Sequence, residues 1–244
     1  MGSLFDFEID GGSIPAYRAD PEGAPRGAVI VIHEVWGLVG HIRDVADRFA
    51  AAGYLAIAPD ILTNAGVPPE VGDELQRLMF SGTDEERAGA QPLMREKLSV
   101  ANAPEYAEWA TRVLAQVVDF LAAQSEVQGR IFVVGFCFGG SYAYALAADD
   151  LRVRGAVPFY GTAPEHASVA DIRCPVLAFY GEQDGRVTSG IPELTEAFKA
   201  SGTDYTPVVY PGVGHAFFND TNPVTYSPEV AEDAWRRTLD FLAR

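Results

Sequence analysis

The feature that most constrains the fold is an apolar run that leads directly into a glycine-flanked cysteine. Ile131 to Val134 are all apolar, and the chain continues as Gly135-Phe136-Cys137-Phe138-Gly139-Gly140. A short apolar run is typical of a buried strand, and glycines two residues to either side of a reactive side chain allow a strand to turn sharply into a helix. The pattern predicts a strand, a tight turn and a helix, with Cys137 at the apex of the turn.

Strand and helix patterns alternate along the rest of the chain. Ala28 to Ile32 is a continuous apolar run of the kind that is buried on both faces of a parallel sheet. A helical pattern follows as far as Gly53, and Leu55 to Ala58 predicts the next strand. Further strands are predicted at Leu4 to Ile9, Ile14 to Arg18, Ala156 to Phe159, Pro175 to Tyr180 and Thr206 to Tyr210. This alternation predicts an α/β fold, with a mostly parallel sheet and helices on both of its faces.

The size of the chain is that of one α/β domain. It has 244 residues, 48% of them apolar, so we expect residues 1–244 to form a single domain. Between residues 61 and 104 the regular pattern gives way to Gly, Pro and charge, with weak helical patches at 75–80 and 93–98. We interpret 61–104 as a lid or binding segment, and the alternative is an insertion with no role in binding.

Charge and cysteine content restrict the partners and the compartment. The formal net charge of −16 disfavours nucleic acid and anionic membrane surfaces as partners. Asp6, Glu8 and Asp10 stand where a signal peptide would need an apolar core, so we expect no secretion. Two cysteines and four scattered histidines give neither a disulfide framework nor the spacing of metal ligands. We therefore expect a cytoplasmic protein without a metal ion.

Four residues with reactive side chains follow predicted strands. These are Glu34, Cys137, Asp184 and His215. In an open parallel sheet, ligands bind outside the carboxyl ends of the strands, and nucleophile, acid and histidine follow one another in the order of the α/β-hydrolases. The alternative for Cys137 is a small buried core residue, but its flanking glycines favour a nucleophile. Cys174 precedes a strand, so we interpret it as a packing residue.

The predicted roles follow from this order. His215 accepts the proton of Cys137 and later activates water, while Asp184 fixes the histidine tautomer. Asp60 and Asp171 are the competing acids, but Asp60 follows too early a strand and Asp171 precedes its strand.

An oxyanion hole is predicted from two backbone N–H groups. That of Phe138 directly follows the nucleophile, and that of Val35 lies in the loop after the first apolar strand. Glu34 lies in the same loop, and its carboxylate would disfavour the thiolate of Cys137 by like-charge repulsion. The alternative is that Glu34 only pairs with a local arginine.

At these residues the chain resembles the dienelactone hydrolase family, the cysteine-bearing branch of the α/β-hydrolases. Similar motifs surround Glu34, Cys137, Asp184 and His215, and the segment Arg237 to Leu242 also fits. The resemblance implies hydrolysis of a small-molecule ester or lactone through an acyl-cysteine, without a cofactor. It also implies that the residue matching Glu34 contacts the resting thiol, and that substrate binding shifts the thiol toward the histidine.

One position departs from the family pattern. Members that cleave dienelactone bind its carboxylate with arginines, one of them four residues after the catalytic histidine, where this chain has Asn219. Arg77, Arg87 and Arg95 are the candidates for a second arginine. We therefore expect a neutral or bulkier ester, with Asn219 at the binding site and apolar walls from Trp36, Phe138 and Phe217.

Two other functions stay open at this point. One is a non-catalytic receptor for a small ligand on a hydrolase fold, and the other is a redox thiol at Cys137, although no resolving cysteine lies near it in sequence. For assembly we expect a monomer or a weak homo-oligomer.

Overall fold

The computed structural model describes residues 1–163 and 168–244. Of Asn102 it describes the backbone but not the side chain. Within these residues the strands form one eight-stranded sheet in the order β1-β2-β4-β3-β5-β6-β7-β8. Their bounds are β1 Ser3–Ile9, β2 Gly12–Ala19, β3 Ala28–Ile32, β4 Leu55–Pro59, β5 Ile131–Phe136, β6 Val153–Phe159, β7 Val176–Gly181 and β8 Tyr205–Tyr210.

Most of the sheet is parallel. Strands β1 and β2 form an antiparallel hairpin, β2 is antiparallel to β4, and the pairs from β4 through β3, β5, β6 and β7 to β8 are parallel. Every residue of β3, β4 and β5 is buried. Parallel strands are covered on both faces, which is why these segments are continuous apolar runs in the sequence. The predicted strands and the mostly parallel sheet are confirmed.

Helices cover both faces of the sheet. They are α1 Gly40–Ala51, α2 Pro69–Ser81, α3 Asp84–Ser99, α4 Pro104–Ala122, α5 Phe138–Asp149, α6 Gly185–Thr188, α7 Ile191–Ser201 and α8 Pro228–Leu242. Helices α4 and α5 share one apolar core with residues such as Ile30 and Val133, whereas α1 and α8 share a second core with Val29 and Val134. Neighbouring strand residues point to opposite faces, so the two cores lie on opposite sides of the sheet. The predicted α/β architecture is confirmed.

The segment at 61–104 is more helical than the sequence pattern indicates. Helices α2 and α3 cover most of it, where only weak patches are predicted. Helix α3 has one buried residue, Ala90, and contains Pro92, so its apolar periodicity is faint. Its start is marked by a capping box, in which the Thr83 hydroxyl accepts from the Glu86 N–H and the Glu86 carboxylate accepts from the Thr83 N–H.

Candidate active site

Cys137 occupies a strained position between β5 and α5. Its φ is +54°, outside the range that residues with a side chain normally adopt, and its N–H donates to the Phe159 carbonyl oxygen over 2.9 Å. A Cβ on Gly135 would lie 1.9 Å from the Gly139 oxygen, and one on Gly139 would lie 2.3 Å from the Ile32 oxygen. The glycines are therefore required by close backbone approach, and the turn places Cys137 at the carboxyl end of the sheet.

The surroundings of Cys137 keep its thiol protonated. Desolvation and then the Glu34 carboxylate raise the pKa of Cys137 to about 12, against smaller lowering effects of the Phe138 N–H and the Arg186 guanidinium. Cys137 is half-buried and carries no disulfide. At neutral pH the resting side chain is a thiol, so it needs a base before it can act as a nucleophile.

His215 and Asp184 come together after β8 and β7. The Asp184 carboxylate is hydrogen-bonded to His215 Nδ1, and the Asp184 loop is tied to the His215 loop by the bond from Gln183 N–H to the Val213 oxygen at 2.9 Å. A Cβ on Gly181 would lie 2.3 Å from the Gly214 oxygen, so the two loops touch. Asp184 is thus placed to fix the tautomer of His215. Among the described contacts, no hydrogen bond joins His215 to Cys137.

Neither competing acid is hydrogen-bonded to a histidine among the described residues, although Asp60 Oδ1 lies 3.7 Å from Nε2 of the neutral His33. Asp60 is fully buried and accepts from the Leu62 N–H, the Thr63 N–H and the Thr63 hydroxyl, at 2.9, 3.0 and 2.7 Å. It therefore stabilises the loop after β4. Asp171 lies exposed ahead of β7.

Glu34 is a buried carboxylate with one neutral donor on each oxygen. It is 2% exposed, its Oε1 accepts from the Tyr160 hydroxyl at 3.2 Å, and its Oε2 accepts from Asn219 Nδ2 at 2.5 Å. Asn219 is itself held by Thr221, whose N–H and hydroxyl donate to Asn219 Oδ1 at 3.0 and 2.6 Å. Within the described residues Glu34 forms no ion pair, so the alternative in which it pairs with a local arginine is wrong.

Tyr160 is part of this cluster and is absent from the residues that the sequence pattern singles out. It follows β6, has a φ of +40° and is 1% exposed. Its ring lies 4.9 Å from that of His215, and burial followed by the Glu34 charge holds the pKa of its hydroxyl well above the usual value. The signal was its place at the carboxyl end of a strand, which it shares with Glu34 and Cys137.

The loop that carries Glu34 is fixed by His33. Burial lowers the pKa of His33, so the ring is neutral despite the nearby Asp60. Its Nε2 accepts from the Ile61 N–H at 3.1 Å, which leaves the proton on Nδ1 to donate to the Glu34 carbonyl oxygen at 2.7 Å. That oxygen also accepts from the Gly37 N–H at 3.2 Å. This arrangement orients the peptide between Glu34 and Val35, whose N–H is one of the two candidate oxyanion donors.

The second candidate donor is the N–H of Phe138, the first residue of α5. The N–H groups of a first helical turn have no acceptor within the helix, and that of Phe138 contacts the Cys137 sulfur. Both candidate donors therefore lie in loops or turns at the carboxyl edge of the sheet, one after β3 and one after β5.

The expected substrate-binding residues take three different positions. Trp36 packs on Phe80 of α2 with ring centroids 5.2 Å apart, and a Cβ on Gly72 of α2 would lie 1.8 Å from the Trp36 oxygen. Segment 61–104 thus packs directly on the Glu34 loop. Phe217, in contrast, is 0% exposed and packs in the core, so the structure gives it no surface for a substrate. Asn219, also 0% exposed, binds Glu34 instead of facing the solvent.

Two of the three candidate arginines in 61–104 form hydrogen bonds to residues close to them in the chain. Arg77 bonds to Glu74 over 2.8 Å, and Arg87 bonds to Asp84 and to the Gly82 oxygen, both over 2.5 Å. Arg95 is exposed. Arg186, two residues after Asp184, is the arginine whose charge acts on Cys137.

Neither a metal-binding cluster nor a membrane-spanning helix is found in the described residues. No group of three or more His, Cys, Asp or Glu side chains in 1–163 and 168–244 has an arrangement that could hold a metal ion. In the same residues no helix combines the length and the apolar character that crossing a bilayer requires.

Comparison with known proteins identifies the family. The model of the "Dienelactone hydrolase family" matches residues 14–244. A Saccharolobus solfataricus protein named "Putative carboxymethylenebutenolidase" is 34% identical over 259 residues, which cover 98% of this chain and 96% of the relative. An Escherichia coli K12 protein of the same name is 31% identical, covering 95% of this chain and 83% of the relative.

A solved structure agrees with these relatives. The crystal structure of a Klebsiella pneumoniae protein described as a "Putative Dienelactone Hydrolase" aligns with a TM-score of 0.82 and 28% identity, over 100% of this chain and 98% of that one. The fold is that of the α/β-hydrolases, and the chain belongs to the dienelactone hydrolase family as a hydrolase of that type, acting on carboxylic esters or lactones.

Proposed function

We propose that the protein hydrolyses its ester or lactone through an acyl-cysteine on Cys137. The observation that carries the proposal is the shared edge: the strained turn presents the Cys137 thiol where the Asp184–His215 pair also lies. A residue at φ +54° costs free energy in a fold, and such strain is concentrated at functional sites.

The reaction has two halves. In the first, His215 takes the thiol proton, the sulfur attacks the ester carbonyl carbon, and the N–H groups of Phe138 and Val35 bind the oxyanion. The tetrahedral intermediate breaks the bond to the alkoxy oxygen, which receives the proton from His215. In the second half His215 takes a proton from water, the hydroxide attacks the thioester, and the carboxylic acid leaves as the proton returns to the sulfur.

Glu34 restrains the first step. Its charge raises the pKa of Cys137, so the thiolate is disfavoured while the pocket is empty. Tyr160 and Asn219 hold both carboxylate oxygens, which supports a fixed position for Glu34 through the reaction. The thiol is thereby protected from unproductive oxidation and alkylation, because the thiolate is the reactive form.

We further propose that the substrate is neutral where dienelactone carries a carboxylate. The arginine position of the family holds Asn219, which is buried and already donates to Glu34. A free substrate carboxylate placed beside Glu34 would be repelled, because within the described residues Glu34 forms no ion pair with an arginine. Kinetics on matched lactones with and without a carboxylate test this, and activity that depends on the carboxylate would contradict it.

Cys137→Ala tests the nucleophile. We expect the variant to lose hydrolysis of p-nitrophenyl acetate and to give no acyl adduct by intact mass, whereas Cys174→Ala, the matched control at the other end of the sheet, keeps both. Unchanged turnover in Cys137→Ala would refute the mechanism. A folded wild type with neither turnover nor adduct would favour the receptor instead.

A further inference from the structure

A cavity at the amino-terminal edge of the sheet gathers four arginines. It has a volume of about 470 Å³ and is lined by residues that precede or begin β5, β6, β7 and β8, together with the ends of α5 and α8. The arginines are Arg130, Arg154, Arg173 and Arg244. Because all of these strands are parallel, this cavity lies at the edge opposite Cys137.

These arginines lack carboxylate partners in an acidic protein. The sequence has 34 Asp and Glu residues and only 18 Lys and Arg residues, and within the described residues nine of these cations form an ion pair with a carboxylate. Within the described residues none of the four arginines forms an ion pair, although Asp204 also lines the cavity. Positive charges that share one cavity repel one another, and an anion bound between them lowers that repulsion.

Helix ends account for part of this charge but not all of it. Arg130 donates through Nη2 to the Leu242 oxygen at the end of α8, where a cation is favoured, and Arg173 donates to the carbonyl oxygens of Ala170 and Ile172. Arg130 Nε is nevertheless buried and without a partner among the described residues. Arg154, an exposed residue at the start of β6, has no hydrogen bond or ion pair among the described residues.

The walls between the arginines are apolar. Phe132, Pro175 and Phe241 line the cavity, and the guanidinium groups of Arg130 and Arg244 lie over the rings of Phe132 and Phe241 at 5.9 and 6.0 Å. Small-molecule sites combine such walls with a few placed polar groups, and their volumes are roughly 300–1,000 Å³. One guanidinium group can donate two parallel hydrogen bonds to two oxygens of a phosphate or carboxylate.

We propose that this cavity binds a small organic anion that has an apolar body and clustered negative charges, supplied by phosphate or carboxylate groups. The site is separate from the catalytic edge, so ligand and ester substrate bind to different ends of the sheet. The proposal stands on the cavity and its unpaired arginines, and it does not depend on the mechanism at Cys137.

Calorimetric titration of the whole protein at low ionic strength tests the proposal, with pyrophosphate, ADP and citrate as probes. We expect saturable one-to-one binding of at least one probe, with ADP tighter than pyrophosphate if the anion is a phosphate, because of the apolar walls. Binding of citrate alone assigns the carboxylate class. Alkylation of Cys137 beforehand leaves the affinity unchanged if the site is the cavity.

Two double variants supply the contrast. Arg154→Gln/Arg173→Gln is expected to weaken binding about a hundredfold, roughly tenfold for each charge-assisted contact. Arg112→Gln/Arg236→Gln removes the same charge from exposed helix positions outside the cavity and is expected to leave the affinity within about twofold. No saturable binding of any probe, equal weakening in both double variants, or loss of binding on alkylation would each overturn the proposal.

Discussion

The two edges of the sheet differ in whether their charged side chains have partners. At the carboxyl edge each oxygen of Glu34 has a neutral hydrogen-bond donor and Asp184 is hydrogen-bonded to His215, so both carboxylates are held in place. At the amino edge four arginines line one cavity without a carboxylate partner among the described residues. A preorganised set of partners suits a reaction, in which geometry must not change, whereas unpaired charge suits a site that a ligand completes.

The largest expected effect comes from the paired charge of Asp184. In Asp184→Asn the orientation and charge support of His215 are lost, so we expect kcat for an activated ester to fall roughly a thousandfold to ten-thousandfold. Steady-state kinetics measure it. The exposed Asp171→Asn, near in sequence, should keep wild-type kcat, and an Asp184→Asn enzyme of normal activity would remove Asp184 from the mechanism.

The glycine-flanked turn at the carboxyl edge gives the next largest expected effect. Gly135→Ala puts a methyl group 1.9 Å from the Gly139 oxygen, and we expect it to lower the free energy of unfolding by about 3 kcal/mol or more. Urea unfolding measures the loss. Gly89→Ala in α3 meets no atom within 4 Å, and we expect this control to stabilise by about 0.5–1 kcal/mol through helix propensity. Equal stability of both variants would contradict the strained turn.

Removing one hydrogen-bond donor from Glu34 tests how much that contact contributes to the free energy of unfolding. Asn219→Ala leaves Oε2 of a buried carboxylate without its partner, which should cost about 2–3 kcal/mol of unfolding free energy. Denaturant titration gives the value, and the exposed Asn64→Ala serves as the control. A loss below about 0.5 kcal/mol would mean that the Asn219 contact is not needed to hold Glu34.

The charge of Glu34 acts on the reactivity of Cys137. Because the carboxylate raises the pKa of the thiol, Glu34→Gln lowers that pKa and shifts the rise of alkylation rate with pH to lower pH. At pH 8 we expect iodoacetamide to modify Cys137 about tenfold faster than in wild type. Glu229→Gln on α8 should leave the profile unchanged, and a slower reaction in Glu34→Gln would reverse the assigned sign.

The smallest effect is expected at the amino edge. Without a ligand, Arg154→Gln/Arg173→Gln removes repulsion and no ion pair, so the free energy of unfolding should stay within about 0.5 kcal/mol of wild type or rise slightly. The same urea titration compares it with Asn219→Ala. A large loss here would mean that these arginines already have partners that stabilise the fold.

Sequence patterns predicted which residues follow the strands at the site better than they predicted which side chains contact one another. Asp184 and His215 stand out because each follows a predicted strand, and the structure joins them by a hydrogen bond. Tyr160 follows a strand as well, but a tyrosine there carries no distinctive signal, and its role depends on Glu34, 126 residues away in the chain.

Two further residues have contacts that local sequence does not indicate. Phe217 is next but one to His215, which made it a candidate wall, yet its side chain points into the core. Asn219 stands where the family pattern has an arginine, and its hydrogen-bond partner in the structure is Glu34, 185 residues distant. The apolar pattern of 61–104 also indicates less helix than the structure has, although the residues of the Thr83–Glu86 capping box are present in the sequence.

The sequence alone determined what depends on local periodicity and close backbone approach: the strands, the sharp turn at Cys137, and the order of the reactive residues along the parallel sheet. Only the tertiary structure decided which donors surround Glu34, which aromatic rings are buried and that four arginines meet at one cavity. Those contacts join segments that are far apart in the chain, and their geometry is set by how the helices and loops pack on the sheet.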